Sequence, residues 1–100
     1  MKYAFHPDAR LEYREAAAFY ESRRPGLAAR FTIEIEAALE RLLQNPQRCG
    51  FIAEDVRRCA ARVFPYSILY TVEDDSILII AIAHKSRKPG YWKTRLRPDV

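Results

Sequence analysis

The spacing of apolar residues in this chain changes once, near residue 56, from the period of a helix to that of a strand. Before that point, segments 7–24 and 27–44 repeat apolar residues every three or four positions, which predicts two amphipathic helices. After it, segments 56–63, 66–72 and 76–83 either alternate or are apolar throughout, which predicts three strands. One such change in 100 residues fits a single domain, and we assign residues 1–100 to it.

The connections between these segments predict how the segments pack. Residues 2–5 alternate and form a short first strand, and the Pro25-Gly26 pair joins the two helices closely enough for an antiparallel hairpin. Asn45-Pro46 ends the second helix, because the residue before a proline is pushed out of the helical region. Short turns at Phe64-Pro65 and Asp74-Asp75 require the late strands to pair antiparallel.

The order of elements is therefore β-α-α-β-β-β, which predicts an α+β fold in two layers. An antiparallel helical hairpin packs on one face of a small, mainly antiparallel sheet, and a basic tail follows the last strand. The segment 77–83 is apolar at every position, so we expect a central strand that is covered on at least one face. The opposite face of the sheet is left for function, for a partner, or for a surplus of polar groups.

Positive charge is concentrated in the last sixth of the chain. The formal net charge is +4, but residues 8–44 are nearly balanced, with six basic and seven acidic side chains. Residues 84–100 hold six lysines and arginines against a single acid, Asp99. Such a field attracts nucleic acid, an acidic partner segment or anionic lipid; the alternative is a solvated tail that only keeps the protein soluble.

The cysteines and the apolar runs exclude several classes of protein. Cys49 and Cys59 have no CxxC spacing and no histidine pair nearby, so we expect free thiols, no metal site and no cofactor. No apolar run follows a basic N-terminus, and the run 77–83 is too short to cross a bilayer. We therefore expect a cytoplasmic protein with no membrane contact.

One candidate cluster lies on the first strand of the late group, at Arg57, Arg58 and Arg62. Because side chains alternate along a strand, Arg58 and Arg62 would share one face and Arg57 the other. Two arginines four residues apart on a strand lie roughly 13 Å apart, close to two phosphate steps. The alternative is an edge strand whose charges block association with other sheets.

A second candidate cluster follows the apolar strand, where polar side chains are exposed yet held by a rigid element. His84 is a candidate for donating or accepting a proton, Arg87 can bind a phosphate or a carboxylate in bidentate fashion, and Tyr91 can stack on a base or transfer a proton. The alternative makes His84 a strand-end residue and Tyr91-Trp92 anchors for the tail. Binding candidates on both clusters and beyond are Arg57, Arg58, Arg62, Lys85, Arg87, Lys88, Lys93 and Arg95.

The residues around these clusters resemble the RelE/ParE superfamily, the toxins of bacterial type II toxin–antitoxin pairs that are also described as plasmid stabilisation proteins. The resemblance covers nearly the whole chain, and it depends on the order and spacing of several short motifs. These are His6-Pro7-Asp8-Ala9, Phe19-Tyr20, Pro25-Gly26-Leu27, Arg30-Phe31, Asn45-Pro46, Val56-Arg57-Arg58, Phe64-Pro65-Tyr66, Tyr70, and the run from Ala83-His84-Lys85-Ser86-Arg87 through Lys88-Pro89-Gly90-Tyr91-Trp92.

The resemblance implies a cognate antitoxin as partner and one of two targets. ParE-like members inhibit DNA gyrase, whereas RelE-like members cleave messenger RNA in the ribosomal A site. The Phe64-Pro65-Tyr66 turn and the aromatic pair after His84 are more similar to the ParE-like side. A homodimer and a toxin–antitoxin hetero-oligomer are both compatible with the sequence.

If the protein were a metal-independent RNA nuclease, the resemblance would place its catalytic residues at Arg58, Arg62, His84, Arg87 and Tyr91. The strand lacks the lysine pair expected there, and a tyrosine base would need strong help from nearby cations. We therefore predict a growth-inhibiting toxin that binds a large target, with the ribosome-dependent nuclease as first alternative. A nucleic-acid-binding module without toxicity is the second.

Overall fold

The computed structural model describes residues 1–96 as a four-stranded sheet with a pair of long helices on one face. The strand order is β1-β4-β3-β2; β1 runs parallel to β4, and the other pairs are antiparallel. This confirms the predicted α+β order. The elements are β1 (Lys2–Phe5), α1 (Pro7–Arg23), α2 (Leu27–Gln44), β2 (Arg57–Ala60), β3 (Tyr66–Glu73), β4 (Ser76–His84) and a 3-10 turn (Lys93–Leu96). Asp99, which entered the charge count, lies outside the described residues.

The helical hairpin forms because its ends are capped by nearby side chains. The Nδ1 atom of His6 accepts a hydrogen bond from the backbone N–H of Asp8 at the start of α1. Gly26 has a φ of 89°, a left-handed conformation that a residue with a side chain rarely adopts. The Glu21 carboxylate accepts from the backbone N–H groups of Gly26 and Ala28, so it caps the start of α2.

The main core lies between the hairpin and the sheet. Phe31, Ile35 and Leu42 of α2 are fully buried against the sheet, where Tyr70 is also fully buried. The Tyr70 hydroxyl donates to the backbone oxygen of Pro46 at 2.9 Å, so the end of α2 is tied to the middle of β3. Burial of the apolar faces stabilises this packing by about 25 cal/mol for each Å² removed from water.

A β-bulge in β4 changes which face its residues reach. Tyr70 pairs with Ile79, but the preceding residue Leu69 pairs with Ala81, so Ile80 is the extra residue. Ile80 and Ala81 both pack on the sheet face away from the helices, whereas Ile79 belongs to the helix-side core. The apolar character of every position from 77 to 83 follows, because both faces of β4 are covered.

The C-terminal segment covers part of the face away from the helices. Trp92 is 5% exposed and packs with Val56, Leu69 and Ile80. The predicted role of the Trp92 ring as an anchor is therefore confirmed. This face is neither bare nor uniformly polar; it has an apolar centre with charged residues around it.

The first late strand is shorter than predicted. β2 ends at Ala60, and the chain then turns, with Val63 at a φ of 74°. A β-branched residue at positive φ cannot continue a strand, so the predicted extension to residue 63 is wrong. Arg62 consequently lies in the turn before β3 and does not share a strand face with Arg58.

Candidate functional site

A groove of about 410 Å³ opens on the sheet face away from the helices. Its apolar floor includes Leu69, Ala83 and Trp92. Its polar lining comes from β2, from the end of β4 and from the segment that follows. The basic and titratable residues among the lining are Arg58, His84, Lys85, Arg87, Lys88, Tyr91 and Lys93.

Sheet pairing places Arg58 at this groove. Arg58 pairs with Leu69, which belongs to the apolar cluster on the face away from the helices. Directly paired residues point to the same side of a sheet, so the exposed Arg58 side chain projects over that cluster. Arg58 and the residues after β4 therefore line one concave surface, although 26 residues separate Arg58 from His84 in the sequence.

His84 is held at the end of β4 by a tight turn. Its Nδ1 atom accepts from the backbone N–H of Ser86 at 3.0 Å and lies 2.8 Å from the Ser86 hydroxyl oxygen. The imidazole also packs edge-on against the Tyr66 ring, with centroids 5.1 Å apart. Because Nδ1 accepts a hydrogen bond from an amide, the neutral ring carries its proton on Nε2. His84 therefore presents Nε2 as a donor.

Arg87 and Tyr91 form a stacked pair at the edge of the groove. The guanidinium carbon of Arg87 lies 3.8 Å from the centre of the Tyr91 ring. The Tyr91 hydroxyl donates to the Glu12 carboxylate at 2.8 Å, and Arg87 Nη1 lies 3.9 Å from the same carboxylate. About half of the Arg87 side chain stays exposed, so it can still meet a partner.

The Tyr91 hydroxyl is a poor proton acceptor in this arrangement. Burial raises the pKa of Tyr91, and the hydrogen bond and charge of Glu12 raise it further. Arg95 and Arg87 lower this pKa, but by less. At neutral pH Tyr91 is therefore a protonated hydroxyl committed to Glu12.

Glu12 is the main residue of the site that the sequence does not single out. A glutamate on an amphipathic helix is usually a solvated charge, yet the Glu12 side chain is only 12% exposed. It accepts from the backbone N–H of Ile82 at 3.0 Å and from Arg95 through two bonds of 2.9 Å. The helical period could have indicated this burial. Glu12 lies three residues after Ala9 and four before Ala16, both of which are buried, so the three residues share one face of α1.

Three predicted binding residues lie away from the groove lining. The Arg57 guanidinium donates to the backbone oxygens of Gln47 and Cys49 and stacks 3.9 Å from the centre of the Phe51 ring. Arg95 is paired with Glu12, and Arg62 lies in the exposed turn after β2. Of the basic candidates, the structure brings together Arg58, Lys85, Arg87, Lys88 and Lys93.

A second, smaller groove of about 220 Å³ lies between α1 and the end of β4. Glu12, Glu15 and Phe19 line it from the helix. His84 and Arg87 line both this groove and the larger one, so they form the ridge between the two.

Within residues 1–96, no cluster of three or more His, Cys, Asp or Glu side chains is arranged to hold a metal ion. Over the same residues, neither long helix is apolar enough to span a membrane.

Comparison with known proteins identifies the family. A model described as the ParE toxin of the type II toxin–antitoxin system parDE matches residues 3–89. No curated protein matches the chain. Among solved structures, the fold is similar to the chromosomal ParDE toxin–antitoxin system from P. aeruginosa, with a TM-score of 0.74 and 20% identity over 84% of this chain and 95% of that chain. Since the family model spans both helices, all four strands and most of the groove lining, the chain belongs to the ParE toxin family of type II toxin–antitoxin systems.

Proposed function

We propose that this toxin arrests growth by binding DNA gyrase in the cytoplasm and that a cognate antitoxin neutralises it. Membership of the ParE family supports the type of target and implies the antitoxin partner. The observation that carries the proposal is the groove, where five cationic side chains surround an apolar floor. An apolar centre with a polar rim is the usual anatomy of a protein–protein contact.

The groove residues have distinct roles in this proposal. Trp92 and Leu69 form the desolvated centre, and Arg58 and Arg87 make charge-assisted hydrogen bonds with acidic groups of the target. Lys85, Lys88 and Lys93 are exposed, so they contribute mainly to the rate of encounter, which falls as salt screens the charges.

The antitoxin is expected to carry an acidic or amphipathic segment. Such a segment complements the cationic rim and the apolar floor, and by occupying the groove it would exclude the target. The same residues would then contact the target and the antitoxin in turn. The whole chain, residues 1–100, would act as one domain.

A second candidate function is metal-independent cleavage of messenger RNA on the ribosome. Four of the five residues that this chemistry would use, Arg58, His84, Arg87 and Tyr91, line the one groove, which favours it. Against it, the reaction needs a group that takes the proton of a 2′-hydroxyl. Tyr91 is protonated and donates to Glu12, and Arg62 lies away from the groove.

Induction of the full chain in a bacterium without antitoxin tests the proposal. We expect growth arrest, and we expect the purified protein to inhibit plasmid supercoiling by gyrase and to trap gyrase–DNA adducts. Arg58→Ala and Arg87→Ala should each weaken both effects by roughly tenfold or more, the cost of removing one charged contact. Arg30→Ala, an exposed arginine on α2, is the matched control and should behave as the wild type.

The possible outcomes separate the candidates. Codon-positioned cuts in messenger RNA with unaffected gyrase would replace the gyrase proposal by the nuclease. Normal growth at full expression of folded protein would refute the toxin activity. Tight, salt-dependent binding to bare nucleic acid without arrest would indicate a simple binding module.

A further inference from the structure

The carboxylate of Glu12 connects α1 with the end of β4 and the C-terminal segment. Oε1 accepts from Ile82 N–H at 3.0 Å and from Arg95 Nη1 at 2.9 Å. Oε2 accepts from the Tyr91 hydroxyl at 2.8 Å and from Arg95 Nη2 at 2.9 Å. Four hydrogen bonds to a carboxylate with 12% exposure make an ordered cluster, because each oxygen has two donors at good distance.

The position of Glu12 follows from the length of β1. The last pair between β1 and β4 is Phe5 with Ile79, and His6 N–H donates to the Ile79 oxygen at 2.8 Å. Beyond this point no strand within residues 1–96 lies beside β4 on that side. The Ile82 N–H is satisfied by Glu12, and the Ile80 oxygen accepts from Arg95 at 3.0 Å. Two side chains therefore continue the edge of the sheet where β1 stops.

These contacts reach the groove through two residues. The Tyr91 ring is fixed by its hydroxyl on Glu12, and the guanidinium of Arg87 stacks on that ring while facing the same carboxylate. Without the carboxylate, Tyr91 would lose its acceptor and Arg87 would lose the charge behind it. The direction in which Arg87 enters the groove thus depends on a residue outside the groove lining.

We propose that Glu12 is a positioning residue of this toxin: it fixes Arg87 and Tyr91 in the orientation that the target recognises. Its importance for activity depends on the proposed function, in which Arg87 contacts the target. Its effect on the local structure does not depend on that function and can be measured separately.

The isosteric variant Glu12→Gln tests the proposal. The Gln oxygen can still accept from Ile82, but the Gln amide nitrogen is a donor and faces the donors of Tyr91 and Arg95. Glu15→Gln removes the same charge one turn along α1 at an exposed position and is the matched control. Tyr91→Phe removes only the hydrogen bond from the Tyr91 hydroxyl to Glu12 and is a milder second variant.

The structural measurements are made by NMR on the purified full-length chains. In Glu12→Gln we expect the Arg87 Nε–H signal to shift and its relaxation to report greater mobility on the picosecond-to-nanosecond scale. We expect the Ile82 amide to exchange with solvent roughly tenfold faster or more, as a bond to a charged acceptor is weakened. Glu15→Gln should leave both signals unchanged.

Growth arrest on induction is then compared at equal levels of folded protein. Glu12→Gln should lose most of its activity, Tyr91→Phe should lose part of it, and Glu15→Gln should keep it. A folded Glu12→Gln variant with wild-type Arg87 signals would overturn the proposal, as would one with wild-type arrest. If Glu12→Gln does not fold, an immobile Arg87 in Tyr91→Phe would overturn it instead.

The two proposals fail in different ways. If the wild-type chain causes no arrest, the proposed function is refuted, and the NMR signals alone decide whether Glu12 orders Arg87. If the wild type causes arrest and Arg87 stays ordered in Glu12→Gln, only the positioning role is refuted.

Discussion

Arg95 and Glu12 form a bidentate ion pair across 83 residues of sequence, with both nitrogen–oxygen distances at 2.9 Å. Their side chains are only 11% and 12% exposed, so both charges have lost most of their water. The pair attaches the segment after β4 to α1 and closes the edge of the sheet. In such a site, breaking the pair costs more free energy than an exposed ion pair contributes.

Replacing Arg95 by methionine should therefore destabilise the fold. Arg95→Met leaves the buried Glu12 without its hydrogen-bonded cation and the Ile80 oxygen without the Arg95 donor, so we expect a loss of about 2–4 kcal/mol in unfolding free energy. Urea denaturation followed by Trp92 fluorescence measures it. Arg30→Met, at an exposed position, should change stability by less than about 0.5 kcal/mol. Equal losses in the two variants would contradict the burial argument.

The same substitution should affect stability at Arg57 and activity at the adjacent Arg58. Arg57 donates to Gln47 and Cys49 and stacks on Phe51, so Arg57→Met should cost roughly 1–3 kcal/mol of stability. Arg58 is exposed at the groove, so Arg58→Met should leave stability within about 0.5 kcal/mol of the wild type. Thermal unfolding and growth arrest are measured in parallel.

Growth arrest should be reduced in Arg58→Met and retained by the folded fraction of Arg57→Met. If Arg57→Met abolished arrest without loss of stability, Arg57 would itself contact the target.

Stability should fall in alkaline solution. Burial, as the main cause, raises the pKa values of Tyr13, Tyr70 and Tyr91 above their usual value near 10. Below that pH both folded and unfolded chains keep these protons, and the contribution to stability is complete. Above that pH the tyrosines ionise in the unfolded chain before they do so in the folded chain. Each of them should therefore lower the free energy of unfolding by up to about 1.4 kcal/mol per pH unit.

Denaturation at pH 8 and at pH 11 measures this slope. Tyr91→Phe should make stability less dependent on pH, because one of the groups with a raised pKa is gone. Tyr3→Phe, at a position with 46% exposure, is the control and should preserve the slope. A wild-type slope in Tyr91→Phe would contradict the pKa shift of Tyr91.

The two cysteines should react at very different rates. Cys59 is 7% exposed, and burial, with a hydrogen bond to Cys49, raises the pKa of its thiol from 9.0 to about 12. At pH 8 its thiolate fraction is then about a thousandfold smaller than that of an ordinary cysteine. Iodoacetamide followed by mass spectrometry should modify the half-buried Cys49 well before Cys59. Equal rates in folded protein would contradict this environment for Cys59.

Much of the fold could be predicted because its signals are local. The helical stripe of α2 and the proline after Asn45 set the bounds of that helix, and the turn at Asp74-Asp75 required β3 and β4 to pair antiparallel. The parallel pairing of β1 with β4 joins elements at opposite ends of the sequence, and no local pattern reveals it.

The candidate site could be predicted only in part. Alternation along a strand separates Arg57 from Arg58, but it does not tell which of the two faces is occupied by the loop around Gln47. Arg62 was assigned to a strand that ends at Ala60, because the positive φ of Val63 has no signature in the sequence. The role of Glu12 could not be predicted without its partner Arg95, because an ion pair between such distant residues depends on the completed fold.

The bulge at Ile80 has a consequence for every residue that follows it. Each step along a strand reverses the side to which a side chain points, and the additional residue inverts that parity from Ala81 onwards. Deleting one residue between Ile79 and Ile82 would exchange the sides of Ala83 and His84 without altering the charge or character of the chain. The register of β4, and not only its composition, thus determines which of its side chains reach the groove.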